Sequence, residues 1–83
     1  MTAVLDKNET GAKLISILGT ILIRDADSIS VSATFDELGM DSLDKIEMIM
    51  RLEETLNIHI DDNKFEHISS IADAINYLNA LQQ

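Results

Sequence analysis

Apolar side chains recur with helical spacing from about residue 8 to residue 24. They occupy the i, i+3, i+4 and i+7 positions of one helix face, and they are Leu14, Ile15, Ile17, Leu18, Ile21 and Leu22. Gly19 lowers the helix propensity of this segment by about 1 kcal/mol relative to alanine. The spacing predicts a first helix, although the β-branched isoleucines would also suit a strand.

The apolar period is lost between residues 25 and 39, where Asp, Ser and Thr compete with the backbone for hydrogen bonds. We therefore expect a long first loop that four apolar side chains pin to the core, namely Ile29, Val31, Phe35 and Leu38. A second helix is predicted over residues 42–56. Asp41 is its expected N-cap, and Asp44 lies three residues later, near the positive end of the helix dipole.

Two further capping signals predict the remaining helices. Asp61 or Asp62 is expected to cap a short third helix that runs through Phe65. The last helix begins at Ser69 or Ser70, because Ser70 and Asp73 have the spacing of a capping box. Its buried face is expected to comprise Ile71, Ala74, Ile75, Leu78 and, at its end, Leu81.

These elements predict an all-α fold. With no proline and three glycines in the chain, the sequence favours helices throughout. We expect a small four-helix bundle, formed by three main helices and one short helix, with a long first loop.

The second predicted helix carries more apolar surface than one core can cover. Its core stripe comprises Met48, Ile49, Leu52 and Leu56. A second stripe, formed by Leu43, Ile46 and Met50, lies on another face, with Glu47, Glu53 and Glu54 at its edges. Two explanations stay open: the first loop folds over this stripe, or the stripe is a docking patch whose acidic rim steers a partner.

Composition narrows the class of protein. The 83 residues predict one domain, and the absence of cysteine excludes disulfides and cysteine-ligated metals. A formal net charge of −9 makes nucleic acid and anionic membranes poor partners. The longest nearly apolar run, residues 14–23, is about half of what spans a bilayer, and the first residues do not resemble a signal peptide. We therefore expect no membrane insertion and a cytoplasmic location.

Negative charge is concentrated around the second stripe. Residues 36–54 carry two basic side chains, Lys45 and Arg51, against seven acidic ones, which are Asp36, Glu37, Asp41, Asp44, Glu47, Glu53 and Glu54. Overall acidity can simply favour solubility. Its clustering beside an apolar stripe favours docking.

One continuous motif occupies residues 35–44, with the sequence Phe-Asp-Glu-Leu-Gly-Met-Asp-Ser-Leu-Asp. It is followed by Ile46-Glu47-Met48-Ile49-Met50 and then by Leu52-Glu53-Glu54. This region resembles the phosphopantetheine-attachment region of acyl carrier proteins. Segment order and spacing extend the resemblance over nearly the whole chain, so that residues 1–83 are expected to form a single acyl carrier domain.

The resemblance implies a covalent cofactor on Ser42. In this family a dedicated phosphopantetheinyl transferase attaches 4′-phosphopantetheine from coenzyme A to the serine of this motif, and the thiol of the arm carries acyl groups as thioesters. The carrier is then a cosubstrate of other enzymes and not itself an enzyme. The residues agree with this role, because a serine in the first helical turn is exposed and lies where free amides favour an anion.

The same resemblance implies a partner face that coincides with the second stripe. It would dock on the basic patches of acyl-transferring and synthase enzymes, and its expected residues are Asp41, Leu43, Asp44, Ile46, Glu47, Met50, Glu53 and Glu54. A carrier of this kind is expected to be a monomer. The segment after the second helix lacks a proline that is usual in the family, so the third segment is expected to be more mobile.

The acidity and the Asp-Ser-Leu-Asp motif favour fatty-acyl cargo. A specialised carrier for polyketide, modified-lipid or aminoacyl groups would share the chemistry of Ser42. An acidic interaction module that binds a partner without any arm is an alternative from another class. No structural metal is expected, because His59 and His67 are eight residues apart and not at the i, i+4 spacing of helical ligand pairs.

Overall fold

The computed structural model describes residues 6–82, with side chains from residue 9 onward. Within this range the chain folds into helices joined by loops and forms no β-strand. The all-α class and the four predicted helices are confirmed. The helices are α1 (Asp6–Leu22), α2 (Ser42–Leu56), α3 (Asp62–Phe65) and α4 (Ile71–Leu81), with a 3₁₀ turn at Ala26–Ser28.

The C-terminus of α1 lies two residues before its predicted end. Ile23 has a left-handed backbone with φ of 55°, and the Arg24 N–H donates to the Gly19 carbonyl oxygen at 2.9 Å. A Cβ atom on Gly19 would lie 2.9 Å from the Arg24 carbonyl oxygen. Glycine is therefore required at this position, because the chain folds back closely over the helix end.

The first loop is pinned to the core largely as predicted. Ile29, Phe35 and Leu38 are buried, and Met40, which the sequence pattern did not single out, is buried as well. The prediction for Val31 was wrong, since 51% of it is exposed. Its backbone, and not its side chain, holds this part of the loop, because the carbonyl oxygen accepts a hydrogen bond from the Ala72 N–H at 2.9 Å.

A short backbone ribbon joins the first loop to the start of α4. Thr34 and Ser70 form an isolated antiparallel bridge. Hydrogen bonds flank it on both sides: Phe35 N–H to Ser69 O at 2.9 Å, Ile71 N–H to Ala33 O at 3.1 Å and Ala72 N–H to Val31 O at 2.9 Å. The loop is thus fixed relative to α4 although it contains little regular structure.

One apolar core joins all four helices and the first loop. Its buried members are Leu14, Leu18, Ile29, Phe35, Leu38, Met40, Met48, Leu52, Ile60, Phe65, Ile71, Ala74 and Leu78. Phe65 lies between two other aromatic rings, stacked on Phe35 with centroids 6.3 Å apart and edge-on to Tyr77 at 5.8 Å. These contacts hold the short α3 against the bundle.

The caps of the last two helices agree with the sequence. The Asp61 side chain accepts from the Asn63 N–H before α3, and the Ser70 hydroxyl accepts from the Asp73 N–H before α4. Leu81 was predicted to be buried and is 38% exposed. It lies in the last turn of α4, beyond Leu78, where the core ends. None of the described helices is long and apolar enough to cross a bilayer.

Candidate functional site

A tight turn immediately precedes α2. Gly39 has φ of 79°, the left-handed conformation that glycine adopts without strain. Its N–H donates to the Asp36 carbonyl oxygen at 3.0 Å, and the Met40 N–H donates to the Phe35 carbonyl oxygen at 3.1 Å. Because Phe35 and Met40 are both buried, the turn is anchored at each end, and the direction in which α2 starts is fixed.

Asp41 is the N-cap of α2, as the sequence predicted, and Asp44 caps in return, which was not predicted from the sequence. The Asp44 N–H donates to Asp41 Oδ1 at 2.8 Å, and the Asp41 N–H donates to Asp44 Oδ2 at 3.3 Å. This is a capping box in which both side chains bond to the backbone. Ser42 is the first residue of the helix and is exposed, so its hydroxyl is accessible from solvent.

The two apolar stripes of α2 differ sharply in exposure. In the core stripe Met48 and Leu52 are fully buried, while Ile49 and Leu56 are half-buried. In the other stripe Leu43, Ile46 and Met50 are 75%, 53% and 60% exposed. The first loop therefore does not cover the second stripe, and that explanation was wrong. The stripe remains exposed next to Ser42.

The carboxylates at the edge of the exposed stripe differ in whether they form ion pairs. Glu47 Oε2 lies 2.8 Å from Arg51 Nη2 and accepts a hydrogen bond from Arg51 Nε at 2.9 Å. Both side chains are about half exposed, so solvent screens this i, i+4 pair. Glu54 is exposed. The rim thus combines a partly neutralised carboxylate with an accessible one.

Glu53 turns away from the stripe toward the linker between α2 and α3. Its side chain is 30% exposed, and its Oε2 atom accepts a hydrogen bond from the Ile60 N–H at 2.9 Å. The same oxygen lies 3.5 Å from Nδ1 of His59. Its backbone carbonyl accepts from the Ile58 N–H at 3.2 Å after Asn57 ends the helix in a left-handed conformation. Glu53 therefore holds the α2–α3 linker at two points, and no local sequence pattern indicates this because the side-chain contact reaches seven positions along the chain, past the end of the helix.

A groove of about 660 Å³ begins at Ser42 and runs between α2 and the α3 segment. No local pattern in the sequence indicates this groove. Its apolar walls are formed by Phe35, Ile46, Ile49, Met50, Ile60, Phe65 and Ile68, and its polar lining comprises Ser42, Lys45, Glu53, His59, Asp62, Asn63 and Glu66. The exposed serine thus lies at a groove with both apolar and polar walls.

His59 and His67 are both exposed. In residues 6–82 no group of three or more histidine or acidic side chains is placed to hold a metal ion.

Residues 12–78 match the family model described as "Phosphopantetheine attachment site". Over 69 residues the chain is 42% identical to the acyl carrier protein of Clostridium acetobutylicum, an alignment that covers 82% of this chain and 90% of that protein. The chain belongs to the acyl carrier protein family. It is also 37% identical over 76 residues to "Acyl carrier protein 2, chloroplastic" of Hordeum vulgare, covering 90% of this chain and 59% of the barley protein.

Phosphopantetheine is accordingly the prosthetic group of this acyl carrier, and the described residues fit it. An exposed hydroxyl is needed for attachment, and the matched region contains one at the start of α2. The groove beside Ser42 offers apolar walls to an elongated chain. The positive end of the 15-residue helix α2 favours an anion at its first residue.

Proposed function

We propose that Ser42 is the attachment site of 4′-phosphopantetheine and that the chain carries acyl intermediates for the enzymes of fatty acid synthesis. The observation that carries this proposal is the position of Ser42: exposed, first in α2, and inside the region matched by the phosphopantetheine-attachment family. The names of both relatives support the acyl cargo.

The chain presents its serine without having to activate it. When bound, the prosthetic group supplies a terminal thiol on which acyl groups are held as thioesters. The capping box keeps Ser42 at the helix start, and the anchored turn before it fixes where α2 begins, with Ser42 in the lining of the groove. In this proposal the transferase provides the base, so the protein is a carrier and cosubstrate and not an enzyme.

Partner enzymes would dock on the exposed stripe of α2. Leu43, Ile46 and Met50 give an apolar centre, and Glu47 and Glu54 give it an acidic rim that suits basic patches on the transferase and synthases. Asp41 and Asp44 lie at the attachment end of this face, where their side chains also cap the helix. Glu53 would contribute through the linker that it holds as well as through its charge.

Two wider expectations stay predictions. A single carrier domain over residues 1–83 is supported by the family match over residues 12–78 and by the one core that joins the described elements. A cytoplasmic location is compatible with the bacterial relative, but the barley relative is chloroplastic.

Intact-mass measurement tests the proposal. The protein is incubated with coenzyme A and a phosphopantetheinyl transferase, in parallel with Ser42→Ala and, as a matched control, Ser69→Ala. We expect one phosphopantetheinyl addition on the wild type and on Ser69→Ala, and none on Ser42→Ala, while circular dichroism shows an unchanged fold. Modification of Ser42→Ala would overturn the site, and partner binding without modification of any variant would favour the interaction module.

A further inference from the structure

The charges that line the groove are distributed unevenly. Three carboxylates belong to its lining, Glu53 on α2 and Asp62 and Glu66 on the α3 segment. Among the described residues of this lining, Lys45 carries the one fixed positive charge, and it lies on the same helix as Ser42. The groove therefore has a cation one helical turn from the proposed attachment residue.

Lys45 is placed to reach an anion on Ser42. The two residues are three positions apart in α2, and side chains with this spacing are neighbours on a helix surface, with Cβ atoms about 5–6 Å apart. A lysine side chain is long and flexible enough to direct its ammonium group over that distance.

The present partner of Lys45 holds it only weakly. Lys45 Nζ lies 4.0 Å from Asp36 Oδ1, with 41% of the lysine side chain and 92% of the aspartate side chain exposed. A pair at this distance and exposure contributes little to stability. The ammonium group can therefore exchange Asp36 for a closer anion at small cost.

A phosphodiester on Ser42 would gain from such a cation, because the capping box already uses part of the anion-binding capacity of the helix start. The backbone N–H groups of Asp41 and Asp44 donate to the two carboxylates of the capping box. They are therefore not free to bind an anion at the helix start. Those carboxylates also add negative charge beside Ser42, and the helix dipole offsets only about half a unit charge. Lys45 is the cation of the groove lining that can add to the helix dipole in balancing the phosphate.

We infer that Lys45 binds the phosphodiester of the arm on Ser42 and thereby directs the arm along the groove between α2 and α3. This inference rests on the proposed attachment at Ser42. Lys45 acts as a positioning residue: it does not take part in loading, and it sets the orientation of the arm after loading.

The test compares the loaded wild-type carrier with the loaded variants Lys45→Gln and Lys45→Arg. Lys64→Gln is the matched control, because it removes the same charge from an exposed residue of α3 that does not line the groove. Intact mass first establishes complete loading of each variant. The ³¹P chemical shift is then followed from low to high salt, and nuclear Overhauser contacts are measured between the arm and the methyl groups of Ile49 and Met50.

We expect the ³¹P shift of the wild type and of Lys64→Gln to depend on salt, because salt screens the lysine–phosphate contact. Lys45→Gln should lose this dependence, and its arm-to-groove contacts should fall about two- to fivefold, the range that a surface charge pair supports. Lys45→Arg should retain both signals, because a guanidinium group also binds phosphate.

The outcomes separate the two proposals. Failure of the wild type to acquire the arm at Ser42 would overturn the proposed function and with it this inference. Complete loading, with the same salt dependence and the same contacts in Lys45→Gln as in Lys64→Gln, would overturn the role of Lys45 alone.

Discussion

The carboxylate of Glu53 accepts a hydrogen bond from the backbone N–H of Ile60 at 2.9 Å. This bond ties the last turns of α2 to the start of the α3 segment, so one side chain adds a direct link between the two groove walls beside the aromatic packing of Phe65. Glu53 therefore connects the helix that carries Ser42 with the segment that faces it.

Replacing Glu53 should loosen this linker in a way that depends on the substitute. Glu53→Ala leaves the N–H of the buried residue Ile60 without its acceptor and should lower the free energy of unfolding by about 1–2 kcal/mol. Glu53→Gln keeps an oxygen acceptor and should cost less. Urea melts and hydrogen exchange at the Ile60 amide measure both effects. Glu54→Ala is the matched control, and equal destabilisation by Glu53→Ala and Glu54→Ala would show that the bond contributes nothing.

Met50 and Leu52 should separate function from stability, since they lie about 200° apart around α2. Leu52 is fully buried, so Leu52→Ala should lower the free energy of unfolding by about 2–5 kcal/mol. Met50 is 60% exposed, so Met50→Ala should cost far less in stability but weaken transferase binding by about 1 kcal/mol. Urea melts and binding titrations on the same proteins measure both. Met50→Ala binding as tightly as the wild type would remove the stripe from the interface.

Glu47→Lys should slow association with the transferase about three- to tenfold at low salt, because it reverses a rim charge and releases Arg51 from its ion pair. The loss of that exposed pair should change the free energy of unfolding by no more than about 0.5 kcal/mol. Stopped-flow association at low and high salt measures the rates. Asp27→Lys makes the same charge change in the first loop, and an equal slowing by this control would mean that total charge, not the rim, steers binding.

Substitutions at Ile23 and Gly39 should change the free energy of unfolding in opposite directions. Both have positive φ, but Ile23 is β-branched and 91% exposed, so Ile23→Gly should raise the free energy of unfolding by about 1 kcal/mol. A Cβ atom on Gly39 meets no atom within 4 Å, so Gly39→Ala should lower it by a similar amount through backbone strain alone. Thermal melts of the two variants measure the changes. A change in stability of the same sign in both variants would contradict this explanation.

The features that the sequence predicted are those set by near neighbours. The caps at Asp41, Asp61 and Ser70 depend on residues two or three positions apart, and the separation of the two α2 stripes follows from helical geometry alone. The exposed stripe next to Ser42 could be located in the same way, once the loop was known to leave it open.

The features that the sequence missed depend on distant contacts. Val31 was wrongly placed in the core because its role is carried by a backbone bond to Ala72, which leaves no hydrophobic signal. The contact of Glu53 with Ile60 crosses the end of a helix, and the groove requires α3 to be positioned by Phe65. None of these features produces a hydrophobic periodicity or a capping pattern in the sequence from which it could be predicted.

The ribbon between residues 31–35 and 69–72 also bears on how the chain folds. Its hydrogen bonds join segments that are nearly half the sequence apart, so they can form only after a long loop has closed, at an entropic cost that local helical contacts do not incur. We expect helix formation to be fast and the docking of the first loop on α4 to limit the rate. During synthesis, this docking cannot occur until α4 has emerged, so the nascent chain would complete this core only after residues 71–81 have left the ribosome.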